Sequence, residues 1–406
     1  MVKIGIVLGS FLGFSLGLMA QENRYIHVDI STAQRFAELH PNLVQVVSHG
    51  EHISVLKIKE TDKEVIASKL HALTGKCGNF TDEGASQDKA IQVMQLVEDR
   101  AEVFQQLLSL NILSFPPISK QPEVNALLPQ IKEASIRFYI DALASYPTRF
   151  YQSAYSYLAV ERLAGIWRQL IRNRNDAQVE IVGHRWKQPS LALTIKGKTS
   201  RRLIIGGHID SINGSQGNQN SGTNEHAPGA DDDASGVATM TEIIRVLMDA
   251  NYVPENTLVF YAYAAEEIGL LGSDQIATLN KSQNADIIAV LQLDMTNYKG
   301  SDKAIYFDST VTNSDPALNQ YLGSLIDEYV KQPWGMMSCG YGCSDHNSWF
   351  KKGYSASFPF EAGSLSASNP NIHSAQDRIN VMATSASHSV HFAKLGIAFV
   401  LELDRI

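Results

Sequence analysis

Three consecutive aspartates, Asp231, Asp232 and Asp233, lie in GADDDASG (229–236), directly after Pro228. Carboxylates this close repel one another unless a cation sits among them. Taken alone, the stretch also suits a solvated acidic turn, because Gly and Asp favour turns and short charge runs face water. Other potential ligands stand elsewhere: His208 and Asp210 in GGHIDS, Glu266 and Glu267 in AAEE, Asp294 in LQLDM, His346 in CSDHNSW and His373 in NPNIHSAQD. A mixture of imidazoles and carboxylates suits zinc or a similar divalent ion better than an iron–sulfur or blue-copper centre. Two ions bridged by a carboxylate, about 3.5–4 Å apart, need more ligands than one. The supply is sufficient for two once His373 or His346 joins His208.

These residues need elements that bring them together. Strand-like runs at 203–205, 258–264 and 287–293 alternate with helical patterns, which is the signature of an α/β sheet. His208 and Asp210 follow the first run, Glu266 and Glu267 the second, and Asp294 ends the third. In open α/β sheets ligands bind beyond the carboxyl ends of the strands. The triple aspartate opens a helix whose apolar stripe, Val237, Met240, Ile244 and Leu247, faces the sheet. A single acidic turn needs no cation, but clusters converging on one sheet edge do.

In order along the chain, GGHIDS, APGADDDASG, AYAAEEIGLLGS, LQLDMTNYKGS, CGYGCSDH and NPNIHSAQD resemble the secreted bacterial leucyl aminopeptidases with a co-catalytic zinc pair. The resemblance covers residues 115–406 and extends more loosely into an N-terminal propeptide. It implies the zinc-exopeptidase fold, a mixed central β-sheet flanked by helices, preceded here by a small α+β domain. It also implies two zinc ions per chain bridged by Asp232, with His208 and Asp294 completing one site and Glu267 and His373 the other. Glu266 becomes the general base, and Asp210 the carboxylate that orients His208. Asp231 and Asp233 fall outside the ligand set as turn or helix-start residues, and His346 matches a position that holds no metal. Asp377 is either a carboxylate behind the ligands or a surface residue.

The implied reaction removes the N-terminal residue, preferably leucine or another apolar one, from peptides with a free α-amine. A zinc pair makes a shared water acidic enough to ionise near neutral pH; Glu266 takes its proton and passes it to the leaving amine. Tyr341, between Cys339 and Cys343, is placed to hydrogen-bond the developing oxyanion. Met295, Phe358, Phe360 and Ile372 flank the motifs and offer an apolar pocket, although EAGSLSASNPNIH, before His373, departs from the family in length and composition. A one-zinc glutaminyl cyclase, an acyltransferase on the same fold, would keep only Asp232, Glu267 and His373. A non-catalytic receptor ectodomain would have lost ligands, and none is missing here.

The rest of the chain bounds this reading. Its 406 residues, 44% hydrophobic, allow a large domain plus a smaller one. A net charge of −8 leaves no basic excess for nucleic acid. MVKIGIVLGSFLGFSLGLMA (1–20) reads as a cleaved secretory signal rather than a retained anchor, so the protein is expected outside the cytoplasm. Export permits disulfides, and Cys339 and Cys343 can bridge if the glycines between them bend the backbone, which leaves Cys77 over. Residues 21–113 read as a separate α+β propeptide domain. Within it strand-like segments alternate with helical ones, among them 62–75, and a long helical pattern runs from Gln87 to Leu110. SFPPISKQP (114–122) reads as the linker to a catalytic domain spanning 114–406. The propeptide is expected to cover the zinc cleft until a processing protease removes it, with Cys77 as one group able to reach a zinc.

Overall fold

The structure is a computed structural model that describes residues 23–74, 80–109, 115–214, 225–383 and 385–405. The leader at 1–20, Cys77 and residues 215–224 lie outside the described residues.

The N-terminal unit contains β1 (Asn23–Asp29), α1 (Ile30–Leu39), β2 (Gln45–His49), β3 (Ile53–Lys59), α2 (Lys63–Thr74), β4 (Thr81–Gly84) and α3 (Gln87–Ser109). The strands form an antiparallel sheet in the order β2-β3-β1-β4. Asp29 starts α1 by accepting the Thr32 N–H at 2.9 Å, satisfying one of the amides a helix leaves open. Strand β4 has no apolar alternation and was not legible in the sequence. Its acids are buried against cations instead: Asp82 lies 2.5 Å from Lys63 Nζ, and Glu83 lies 2.9 Å from Lys351 Nζ.

The larger unit is built on a six-stranded mixed sheet. Its strands are β5 (Ala177–Val182), β6 (Ser190–Ile195), β7 (Arg202–His208), β8 (Thr257–Tyr263), β9 (Ile287–Gln292) and β12 (Ala356–Ser357), in the order β12-β9-β7-β8-β6-β5. Strands β12, β9, β7 and β8 are parallel, whereas at one edge β6 pairs antiparallel with β8 and β5 pairs antiparallel with β6. β10 (Ile305–Asp308), β11 (Trp334–Met337) and β13 (Pro359–Phe360) make a small second sheet. Every residue of β8 is buried, as a strand covered on both faces requires.

Alternation sorts the side chains between the two faces. Leu203 and Ile205 point to a core shared with α4 (Gln121–Leu127), α5 (Glu133–Ala144), α6 (Tyr155–Leu170), α7 (Ala234–Asp249), α9 (Pro316–Leu325), α11 (Ile379–Met382) and α12 (Ser389–Leu403). Ile204 points to the opposite core, with α8 (Leu271–Ser282) and α10 (His346–Lys351).

The two units share apolar cores. Met94 and Val97 of α3 belong to the cluster of Trp349 and Phe350, and Phe80 joins Ala265 and Ile268. Gly269, at φ +94°, lies so close that an added Cβ would stand 2.6 Å from the Phe80 ring. The connecting segment also packs: Phe115 stacks on Tyr321 with centroids 5.0 Å apart, and the Lys120 N–H donates to Glu402 at 2.8 Å. Among the described residues no helix is long and apolar enough to cross a membrane.

Candidate active site

The carboxyl ends of the central parallel strands carry the site. β7 ends at His208, β8 leads into Glu266 and Glu267, and β9 leads into Asp294. Between β7 and β8 in the chain, the triple aspartate opens α7. All of these side chains are buried.

Two groups of potential ligands form, each with its donor atoms within 4.8 Å of one another: His208, Asp232 and Asp294, and Asp232, Glu267 and His373. Asp232 belongs to both and divides its oxygens between them. Its Oδ1 lies 2.9 Å from His208 Nε2 and its Oδ2 lies 2.9 Å from His373 Nε2. Asp294 Oδ1 is 3.5 Å from His208 Nε2, and Glu267 Oε2 is 3.0 Å from His373 Nε2. Among the described residues no hydrogen-bond donor reaches either oxygen of Glu266, or Oε1 of Glu267. Buried carboxylate oxygens without donors are costly unless a cation satisfies them. The donor set therefore fits two hard-to-borderline divalent ions sharing one carboxylate.

The electrostatics agree. Burial alone would raise Asp232, but the two imidazoles hold it below the usual carboxylate range. Burial would lower His373, yet the Glu267 carboxylate and Asp232 push it up to about 10. Burial, reinforced by Asp232, raises Glu267 to about 7. Glu266 is raised well above its ordinary value, first by burial and then by the acids around it. Such a concentration of displaced carboxyl groups is what positive charge relieves.

The neighbours of Asp232 have separate tasks. Asp233 caps α7 by accepting the Gly236 N–H at 2.8 Å, and its carboxylate also holds the amides of His208 (3.0 Å) and Met295 (3.2 Å). Asp231 accepts the Asn297 N–H at 3.2 Å. Asp377, which the sequence left between two roles, is buried and receives the amides of Asp231 (3.0 Å) and Asp232 (3.1 Å). Asp210 lies 3.4 Å from His208 Nδ1 and also accepts the amides of Glu266 (3.0 Å) and Glu267 (3.2 Å), a task the sequence did not reveal. Ser344 was missed too; its hydroxyl donates to Asp294 Oδ2 at 2.6 Å. Ala265, Met295 and His373 all have φ between 54° and 56°. For side chains with a Cβ this region costs on the order of 1–3 kcal/mol each, and such residues gather where geometry serves function.

Beside the acids, Met295, Phe358 and Phe360 form one apolar cluster with Cys339, Tyr341 and Cys343, and Ile372 packs against it. Cys339 and Cys343 are joined by a disulfide. His346 stays out of both ligand groups: it stacks on Phe358 with centroids 5.0 Å apart and lies 3.7 Å from Asp308 Oδ2.

On the other side of His373 stands α2 of the N-terminal unit. His373 Nδ1 is 2.8 Å from Nδ1 of His71, and an added Cβ at Gly214 would meet the His71 ring at 3.0 Å. Ala67, Ser68, His71, Ile212, Gly214, Glu267 and His373 enclose a space of about 10 Å³, room for no more than about one water.

Comparison with known proteins agrees with this geometry. Residues 190–398, just over half of the chain, match the model of peptidase family M28. A probable leucine aminopeptidase of Arthroderma benhamiae is 36% identical over 292 residues, 70% of this chain and 77% of its own length. LapB and the LapA aminopeptidase of Legionella pneumophila are 27% and 26% identical, each with a TM-score of 0.76. Those alignments cover 94% and 95% of this chain and 99% of each of theirs, so they take in the N-terminal unit as well. A glutaminyl cyclase of Bacteroides thetaiotaomicron, at 15% identity and a TM-score of 0.54 over 66% of this chain and 97% of its own, shares the fold alone. Sheet, ligand groups and relatives lead to one conclusion: the chain belongs to peptidase family M28 and is a peptide hydrolase of the zinc aminopeptidase kind.

Proposed function

We propose that the protein is an exported aminopeptidase that works with two zinc ions and releases an apolar, preferably leucine-like, residue from the N-terminus of peptides. The observation that carries this reading is the division of Asp232, one oxygen in each ligand group. His208 and Asp294 would hold one ion, Glu267 and His373 the other, with Asp232 between them. When bound, the pair supplies Lewis acidity to a water and to the substrate's α-amine. Glu266, buried and accepting no hydrogen bond among the described residues, is the chain's own proton acceptor. Its raised pKa suits a group that takes a proton from water and returns it to the departing amine. Asp210 keeps Glu266 and Glu267 in register through their amides. Tyr341 offers its hydroxyl to the oxyanion, and Met295, Phe358, Phe360 and Ile372 receive the side chain.

The N-terminal unit (21–113) acts in this reading as a propeptide that holds α2 over the site until a processing protease cuts the connection. Support comes from the small space left beside His71 and Glu267. Because the units share apolar cores, cutting frees the cleft only when the cut piece also dissociates or unfolds.

Hydrolysis of leucyl and N-acetyl-leucyl anilides by processed enzyme, with zinc counted on the same sample, tests the reading. Cleavage of the free-amine substrate alone with two zinc ions per chain is expected. Equal cleavage of both, or of neither, overturns the aminopeptidase assignment; a count of one zinc points to a one-zinc acyltransferase instead.

A further inference from the structure

Arg149 belongs to neither ligand group, yet it is a fully buried cation behind both. It follows α5 in the segment SYPTRFYQ, far in sequence from the acids it serves. Its guanidinium spends its hydrogen bonds on backbone carbonyls: Nε donates to Ile209 O at 2.8 Å, Nη2 to Gly229 O at 2.9 Å, and Nη1 to Pro228 O. Ile209 lies between His208 and Asp210, and Pro228 and Gly229 lead into the triple aspartate. One planar fork thus ties the loop that bears the first histidine to the loop that bears the shared carboxylate.

The backbone of the same residue extends the tie. The Arg149 N–H donates to Ser211 Oγ at 3.0 Å, and that hydroxyl donates onward to Ala227 O at 2.7 Å. The Arg149 carbonyl accepts from Gln188 Nε2 at 2.9 Å, and Gln188 Oε1 accepts the Ala265 N–H at 3.2 Å. Ala265 immediately precedes Glu266 and Glu267 and holds a left-handed φ. Three ligand-bearing loops therefore meet at one residue. Its charge faces Asp377, Asp233, Asp210 and Asp232, so it also offsets their mutual repulsion.

We propose that Arg149 is a positioning residue that sets the spacing of the three ligand loops. The proposal rests on the two-metal reading above. A planar guanidinium can bridge carbonyls on separate loops, whereas an ammonium, though equally charged, is a compact point that cannot span them. Lysine at this position separates geometry from charge.

The test measures zinc count and affinity, by competition with a chelator, together with kcat and KM, for wild type, Arg149→Lys, Ser211→Ala and Gln188→Ala. The wild-type count tests the two-metal reading by itself. The affinities of the variants relative to wild type then test Arg149. Removing groups that orient metal ligands weakens binding by about 10–100-fold. Arg149→Lys is expected to lose zinc affinity on that scale, with kcat falling further than KM rises. Ser211→Ala and Gln188→Ala, which leave the guanidinium in place, should lose affinity in the same direction by less. They keep the test open if Arg149→Lys fails to fold. Folded variants that all bind zinc and turn over as wild type overturn the proposal. So does an Arg149→Lys whose lost activity equals its lost folded fraction, with the folded remainder at wild-type affinity.

Discussion

His71, on the N-terminal unit, packs against His373, on the catalytic unit, with ring centroids 4.2 Å apart, ring planes tilted by 49° and Nδ1 to Nδ1 at 2.8 Å. The other nitrogen of His373, Nε2, faces Asp232 and Glu267. Helix α2 therefore reaches one of the proposed zinc ligands, and a space of only about 10 Å³ remains beside His71, Glu267 and His373. The uncut chain is expected to be latent, and cutting within 114–122 followed by release of the N-terminal piece should raise kcat/KM. His71→Ala removes one polar contact worth about 1 kcal/mol and should raise uncut activity by about fivefold. Cys77→Ser should stay as latent as wild type if α2 is the block. An uncut chain as active as the cut form would falsify the cover.

Glu266→Gln keeps the size of the side chain and removes its ability to accept a proton. The expected loss is about 10²–10⁴ in kcat, with both zinc ions retained. Glu267→Gln should instead lower the zinc count, because its carboxylate lies within one ligand group. If the Glu266 variant loses metal and the Glu267 variant keeps it, the two roles are exchanged. Dialysis against a chelator should abolish wild-type turnover, and added zinc should restore it.

Tyr341→Phe should lower kcat by about 10²–10³, the scale set by loss of one oxyanion donor, while KM and zinc content stay near wild type. Reduction of Cys339–Cys343 should act in the same direction by loosening the segment that carries Tyr341. So short a loop contributes little entropy to global stability, so the melting temperature should move little. A reduced enzyme of unchanged kcat and a fully active Tyr341→Phe would together remove the tyrosine from the reaction.

His388, just before α12, titrates at about 4, pulled down first by burial and then by His391 beside it. In the unfolded chain a histidine titrates near 6.5. Between roughly pH 6.5 and 4 the unfolded state therefore binds more protons, and stability falls as the pH is lowered through that window. Above it this residue contributes no pH dependence. Thermal melts from pH 7.5 to 4.5 should show the decline, and His388→Asn should flatten part of it. A variant that declines as steeply as wild type would assign the acid sensitivity elsewhere.

Ligand type and the places of the strands along the chain were decided locally. Apolar runs at 203–205, 258–264 and 287–293 specify buried strands, and the residues directly after a parallel strand must emerge at its carboxyl end. His208, Glu266, Glu267 and Asp294 were therefore legible as one site, and the triple aspartate as the start of the helix between. Tertiary structure decided what each of the three aspartates does, because that depends on which amides the folded loops present. Asp233 takes those of His208, Met295 and Gly236, Asp231 takes that of Asn297, and Asp232 alone turns both oxygens to imidazoles. Strand β4 was hidden because its acids are buried by partners elsewhere in the chain rather than by a hydrophobic pattern. Arg149 and His71 were hidden for the same reason. Each acts across more than fifty residues of sequence, where no periodicity or spacing carries a signal, and only folding brings the partners within hydrogen-bonding distance.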